Sequence, residues 1–206
     1  MDGVFMFKLI KMGVCCLLAA FLVWFGTVLA DRQTLNENVI RFHVVANSDS
    51  EADQAVKLEI RDGIIAYLQP ILAELPSATE AKAWLEDHLE ELKAVADQIL
   101  AENGFTDTAT VTVRKEAFDT RRYDTFTRPA GVYDALRITI GDGSGRNWWC
   151  VVFPQLCLPA VSDGMEAEAA GAGFSEDLTQ ALEGECQVRF FVLDCLGWLE
   201  KIFFGS

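Results

Sequence analysis

Asn147-Trp148-Trp149-Cys150-Val151-Val152-Phe153-Pro154-Gln155-Leu156-Cys157 holds two of the five tryptophans and two of the six cysteines of the chain. Its apolar and aromatic content predicts a strand over residues 147–153 that turns at Pro154. Neighbouring side chains on a strand point to opposite faces, so one tryptophan fills a core and the other stays nearer the surface. Gly141-Asp142-Gly143-Ser144-Gly145 precedes this strand, and residues 132–140 form another strand before that. Two strands joined by a tight glycine turn predict a β-hairpin.

Working outward, residues 39–45 alternate as a strand with Ile40, Phe42 and Val44 on one face and Arg41 and His43 on the other. Asn47-Ser48-Asp49-Ser50 breaks that pattern, and Ser50 with Asp53 has capping-box spacing. A helix is expected over residues 51–69, because Pro70 disfavours continuation. Ser77 and Glu80 start a second helix, with Trp84, Leu85, Leu89, Leu92, Val95, Ala96 and Ile99 at helical spacing. Asn103-Gly104 is its stop signal. A strand over 108–114 and an irregular loop over 118–129 follow. Residues 163–184, rich in Gly, Ala and Glu, read as a surface loop or linker. A helix over 189–204 is apolar on too wide a face for a lone surface helix, and is expected to pack on the domain. The element order predicts an α+β, two-layer domain with a mainly antiparallel sheet and helices on one face. The expected divisions are residues 1–30, an apolar export or anchor helix; 31–160, the α+β domain; and 161–206, a variable loop and the C-terminal helix.

The 206 residues carry 31 acidic and 17 basic side chains, a formal charge of −14. That balance argues against a nucleic-acid partner and against loose docking on anionic lipid. Lys8 and Lys11 precede an uncharged apolar run over 13–30, ended by Asp31-Arg32. A basic start and an apolar centre read as an export signal, with Val28-Leu29-Ala30 acceptable to a signal peptidase. The run also meets the length at which a transmembrane helix becomes a candidate, so a retained anchor is the rival.

Few residues offer chemistry. Only His43 and His88 exist as histidines, and neither has a nucleophile signature beside it. Cys150 and Cys157 lack the spacing and the partners of a metal knuckle. They fit buried thiols, with a Cys150–Cys157 crosslink as the alternative; a Cys186–Cys195 pairing is open on the same terms. The glycine turn opens no helix, so it is no phosphate cradle. Asp49 and Asp53 are explained by capping a helix start. The residues therefore point to a binding or signalling role with no catalytic residue, metal, cofactor or small-molecule substrate.

Three blocks carry a resemblance. The first is Ile40-Arg41-Phe42-His43-Val44-Val45-Ala46-Asn47-Ser48-Asp49-Ser50, continuing through Asp53-Gln54-Ala55 and Lys57 to Arg61-Asp62. The second is Arg128-Pro129-Ala130-Gly131-Val132-Tyr133-Asp134-Ala135-Leu136-Arg137-Ile138, and the third is the 147–157 segment. Together, over about residues 39–159, they resemble the stage II sporulation protein R family. The resemblance implies a signalling protein exported from the forespore into the intermembrane space, or anchored there by residues 13–30. Its implied partner is a membrane-embedded aspartic protease that processes pro-sigma-E, which makes the chain an activator and not an enzyme. Contact surfaces of this kind centre on aromatic and arginine anchors. Trp148, Trp149, Tyr133, Arg121, Arg122 and Tyr123 are the candidates, against packing and a solvated loop as their plainer explanation. Asn47 and Asp49 mark a second candidate face, against helix capping. The alternatives are an exported cell-envelope remodelling enzyme, which would need Asp49, Asp53 and His43 in one cleft, and a membrane-anchored structural domain.

Overall fold

The computed structural model describes residues 3–122, 127–153, 173–184 and 186–204. The strands are β1 (Ile40–Val45), β2 (Ala109–Phe118), β3 (Arg121–Arg122), β4 (Thr127–Arg128), β5 (Gly131–Ile140) and β6 (Asn147–Phe153). The helices are α1 (Gly3–Asn38), α2 (Glu51–Ala73), α3 (Ala78–Asp87), α4 (Leu89–Glu102), α5 (Glu176–Glu183) and α6 (Gln187–Phe204). The main sheet has the order β2-β5-β1-β6, and β3 with β4 forms a small separate pair. The α+β expectation holds, in a mixed sheet: β1 runs parallel to β5 and antiparallel to β6, and β2 is antiparallel to β5.

The expected hairpin between residues 132–140 and 147–153 does not form, because β1 lies between β5 and β6. The connection is held to the end of β1 instead. Gly145 N donates to Ala46 O at 2.9 Å and Ser144 N to Asn47 O at 3.0 Å. A Cβ on Gly145 would lie 2.2 Å from Ser48 O, so the glycine is what lets the loop cross so closely.

Every residue of β1 is buried. Ile40, Phe42 and Val44 join the larger core, which α2, α3 and α4 cover with Val56, Ile60, Ile64, Leu85, Leu92 and Ala96. Ser50 caps α2 by accepting from Asp53 N, as the spacing predicted. Pro70 does not end α2, which runs on to Ala73 with Leu72 buried in that core. A proline so near the C-terminal end costs one backbone bond, and burial offsets it. The single helix expected after Ser77 is two, broken at His88. The His88 ring stacks on Trp84 at 3.9 Å and its Nδ1 bonds Trp84 O at 2.7 Å, which turns the chain at the joint.

The opposite sheet face is covered too, by the end of α1 with α5 and α6. Val28, Leu35, Phe118, Tyr133, Val151, Phe174, Leu178, Leu182 and Leu193 form this second core. Of the C-terminal helix, Leu193 is part of this core and Phe190, Val192 and Leu196 pack against it. Part of the expected loop over 163–184 is helix α5. Ser175 accepts from Leu178 N at its start, and Gly184 ends it in the left-handed region at φ 92°. The remainder, 163–172, lies outside the described residues.

α1 does not end with its apolar run. It continues eight residues past Ala30 to Asn38, and this end is fastened to α6. Arg189 binds Asp31 through Nε at 2.7 Å and Nη2 at 2.5 Å. Arg32 binds Glu200 at 2.5 Å and the Tyr133 hydroxyl at 3.0 Å. Two glycines make room for that guanidinium: a Cβ on Gly131 would lie 1.7 Å from Arg32 Nη2, and one on Gly197 would lie 2.9 Å from it. The Gly197 Cβ would also meet Ala130 O at 1.6 Å, so α6 rests on the backbone just before β5 at this point. Gly197→Ala should therefore cost about 1–3 kcal/mol and speed amide exchange across α6 in detergent-solubilised protein. Gly13→Ala, where a Cβ meets nothing within 4 Å, should not. Equal exchange in the two variants would refute this account of the docking.

Candidate functional site

The two tryptophans of β6 do point to opposite faces, and β6 is an edge strand. Both are half-buried. Trp148 lies opposite Val44 and meets Phe42 edge-on at 5.9 Å. The Arg61 guanidinium covers its ring at 4.9 Å. Trp149 lies opposite His43 and stacks on it at 4.8 Å with only 5° between the planes. Phe118 meets Trp149 edge-on at 5.2 Å, and Arg121 covers it at 5.1 Å. The sheet edge thus offers two indoles, one per face, each rooted in a core and each capped by an arginine. Arginine over an indole is attractive in itself and presents a cationic rim around an apolar centre.

His43 is buried beneath Trp149 and is held at both ring nitrogens. Asn147 Nδ2 lies 2.9 Å from Nδ1. Nε2 lies 2.9 Å from Glu116 Oε2. Arg114 at 2.7 Å and Arg137 at 3.6 Å complete the surroundings of Glu116. Burial alone would raise the Glu116 carboxyl. Hydrogen bonds from His43 and Arg114 and the charges of His43 and Arg137 outweigh it and hold the group at about 2, against an ordinary 4.5. Arg41, also buried on this face, lies over the Phe118 ring at 4.5 Å and the Tyr133 ring at 5.7 Å.

The turn after β1 is a latch. Asn47 Oδ1 accepts from Asp142 N at 3.0 Å, and Asp49 Oδ1 accepts from Arg146 N at 2.7 Å. Ser48 Oγ bonds Asp53, and Gln54 Nε2 reaches Ser48 O at 2.9 Å. Lys57 Nζ bonds Arg146 O at 3.2 Å. The first sequence block therefore clamps the glycine loop to the start of α2.

The nominated residues divide accordingly. Trp148, Trp149 and Arg121 come together at the β6 edge. Arg122 lies one residue beyond, exposed, beside an open pocket of about 500 Å³ shared with Thr127, Gln187 and Phe190. Tyr133 is fully buried, and its hydroxyl accepts from Arg32 and donates to Pro129 O at 2.9 Å. Asn47 and Asp49 belong to the latch. Tyr123 lies outside the described residues. Asp49, Asp53 and His43 do not meet in one cleft: the aspartates serve the latch, and His43 serves Glu116 and Asn147 across the sheet. Cys150 is disulfide-bonded rather than a free buried thiol; Cys186 and Cys195 are free, so they are not paired with each other. Cys157 lies outside the described residues. Among the described residues, no cluster of three or more His, Cys, Asp or Glu side chains could hold a metal ion. Sequence reasoning missed Arg61, Glu116 and Arg32. The strand alternation on β2 could have placed Glu116 on the face of His43; nothing local announces Arg61 over Trp148.

Residues 36–163 match the family described as Stage II sporulation protein R (spore_II_R). The curated Stage II sporulation protein R of Bacillus subtilis (strain 168) is 38% identical over 128 residues, which are 62% of this chain and 57% of that protein. The chain thus matches somewhat over half the length of that relative. No solved structure matches.

The Glu116 environment has a pH signature. A carboxylate whose folded value is depressed stabilises the fold above its unfolded value and loses that contribution as pH falls toward the folded value. Glu116→Gln should cost on the order of 1–2 kcal/mol near neutral pH, with solvent screening allowed for. In urea titrations the gap between the two proteins should narrow as pH drops from 4.5 toward about 2. A gap that stays constant over that range would show that the carboxylate charge is not what the site uses.

Proposed function

The chain belongs to the stage II sporulation protein R family, and from that premise we propose that it is an exported sporulation signal which activates a membrane-embedded aspartic protease. On this reading the protease then processes pro-sigma-E and couples forespore to mother-cell gene expression. The observation that carries the reading is the family match, which spans every strand of the main sheet. The long apolar helix α1 supports it, since such a helix suggests export or a membrane anchor. We assign that task to residues 1–30, the signalling body to 31–160, and a variable covering unit to 161–206. The site is the forespore-side release or anchoring of the body in the intermembrane space.

An activator works by binding the active state of its receptor more tightly than the inactive one. The β6 edge suits such a contact: half-buried indoles on rigid strands, rimmed by arginine, lose little entropy on binding. We take Trp148, Trp149, Arg61 and Arg121 as the core of the receptor face, with Arg122 at its border. Tyr133, Asn47 and Asp49 act behind it, as the supports described above.

Co-expression of this chain, the protease and pro-sigma-E in a non-sporulating host tests the reading. Processing should require the chain; processing that proceeds equally without it would end the proposal. Trp148→Ala and Arg121→Ala proteins that stay folded should each lose on the order of tenfold in processing, the scale of one interface anchor.

A further inference from the structure

α6 has two apolar sides. Arg189, Leu193 and Gly197 face the sheet and are buried. On the other side Val188, Phe191, Cys195, Trp198 and Ile202 recur at three- and four-residue steps, which aligns them on one stripe. They are open to solvent: Val188 is 67% exposed, Phe191 66%, Trp198 57% and Ile202 56%. Phe203 and Phe204, each 73% exposed, add open apolar surface at the helix end. No charged residue interrupts this stripe.

The position of α1 says what covers it. The helix from Phe5 to Asn38 is long and apolar enough to cross a membrane, and only 6% of its most apolar window is buried. Between Lys11 and Asp31 roughly 19 residues rise about 28 Å, close to the thickness of a hydrocarbon core. A span so placed puts Asp31 and Arg32 at the membrane surface. Those two residues are bound to Arg189 and Glu200 of α6. Trp24 and Val28, deeper along α1, already pack into the second core with Leu178, Leu193 and Phe190. Trp24 lies about 9 Å below Ala30 along the helix axis. The body can meet α1 that far down only if its α5–α6 side enters the headgroup layer. An amphipathic helix lying in the interface buries its apolar face about 5–10 Å deep.

We propose that α6 is an in-plane membrane helix, its 188–202 stripe seated in the lipid leaflet from which α1 emerges. The occupant is lipid, and the attraction is apolar. With a formal charge of −14 the chain gains nothing from anionic headgroups, so seating should be as firm on zwitterionic phosphatidylcholine as on anionic mixtures, and insensitive to salt. The inference rests on α1 spanning the bilayer and is independent of the receptor reading.

Cys195 is an exposed, free native thiol on the stripe, and an environment-sensitive fluorophore there reports its surroundings. Full-length protein, with Cys15, Cys16 and Cys186 changed to serine, is reconstituted in phosphatidylcholine vesicles. The expected result is blue-shifted emission, quenched by spin-labelled lipid and not by aqueous iodide. The Phe191→Glu, Ile202→Glu double variant, with its helix content unchanged, should shift the emission back and lose the lipid quenching. A label on Cys15, in parallel versions that keep Cys15 and carry serine at Cys16, Cys186 and Cys195, should be lipid-quenched with or without the double substitution. Aqueous emission at Cys195 with a lipid-quenched Cys15 overturns the proposal. Energy transfer between labelled copies would then assign the stripe to a second copy of the chain, and its absence to a different protein. An aqueous signal at Cys15 also overturns it, by removing the span, and leaves the receptor reading to its own test.

Discussion

β1 lies between two strands and between two covering layers, so none of its six side chains reaches water. Three of them, Ile40, Phe42 and Val44, join the core under α2, α3 and α4. The other face brings Arg41 and His43 into the interior. A buried cation or imidazole without partners costs several kcal/mol. The second face must therefore supply polar and aromatic partners and also exclude water. Glu116, Asn147, Trp149, Phe118 and Tyr133 do the first. α5, α6 and the end of α1 do the second. A sheet with alternating strand residues thereby acquires a third layer, and the layer comes from the two ends of the chain.

Those ends are held by charge as much as by apolar contact. Asp31 meets Arg189 across 158 residues, and Arg32 meets Glu200 across 168. Desolvation takes back most of the Coulombic gain of such pairs, so their net stability is small. Their value lies in register. An apolar helix can slide or rotate on an apolar surface at little cost. The same slide here would strand a buried aspartate and a buried arginine. The Arg32 slot between Gly131 and Gly197 adds a steric limit to the electrostatic one.

Much of this was legible in the sequence. The strand alternation of residues 40–45, the caps at Ser50 and Ser77, and the opposed tryptophans follow from local period and local hydrogen bonding. The order of strands was not legible. Glycine-rich residues between two strands favour a hairpin by local rules, and only the contacts of Gly145 and Ser144 with residues 46 and 47 send the chain across β1. α5 was hidden by its Gly- and Ala-rich surroundings, although Ser175, Leu178 and Leu182 carry a cap and a helical step. The break at His88 depends on a ring stacking over Trp84, which no periodicity encodes. At the site, residue type singled out Trp148, Trp149 and Arg121 and also Tyr133. Type alone cannot separate an anchor at a sheet edge from an aromatic at a sheet centre; strand order does that.

The packing also bears on whether the apolar segment stays attached. A cut after Ala30 would remove Val28 from the second core, losing on the order of 2 kcal/mol of burial. It would also place a new ammonium group at Asp31, at the positive end of the remaining helix and beside the Arg189 guanidinium. Both effects act against the cut form of this fold. A retained α1 has no break between residues 3 and 38, so the body is joined to the apolar segment by continuous helix rather than by a tether.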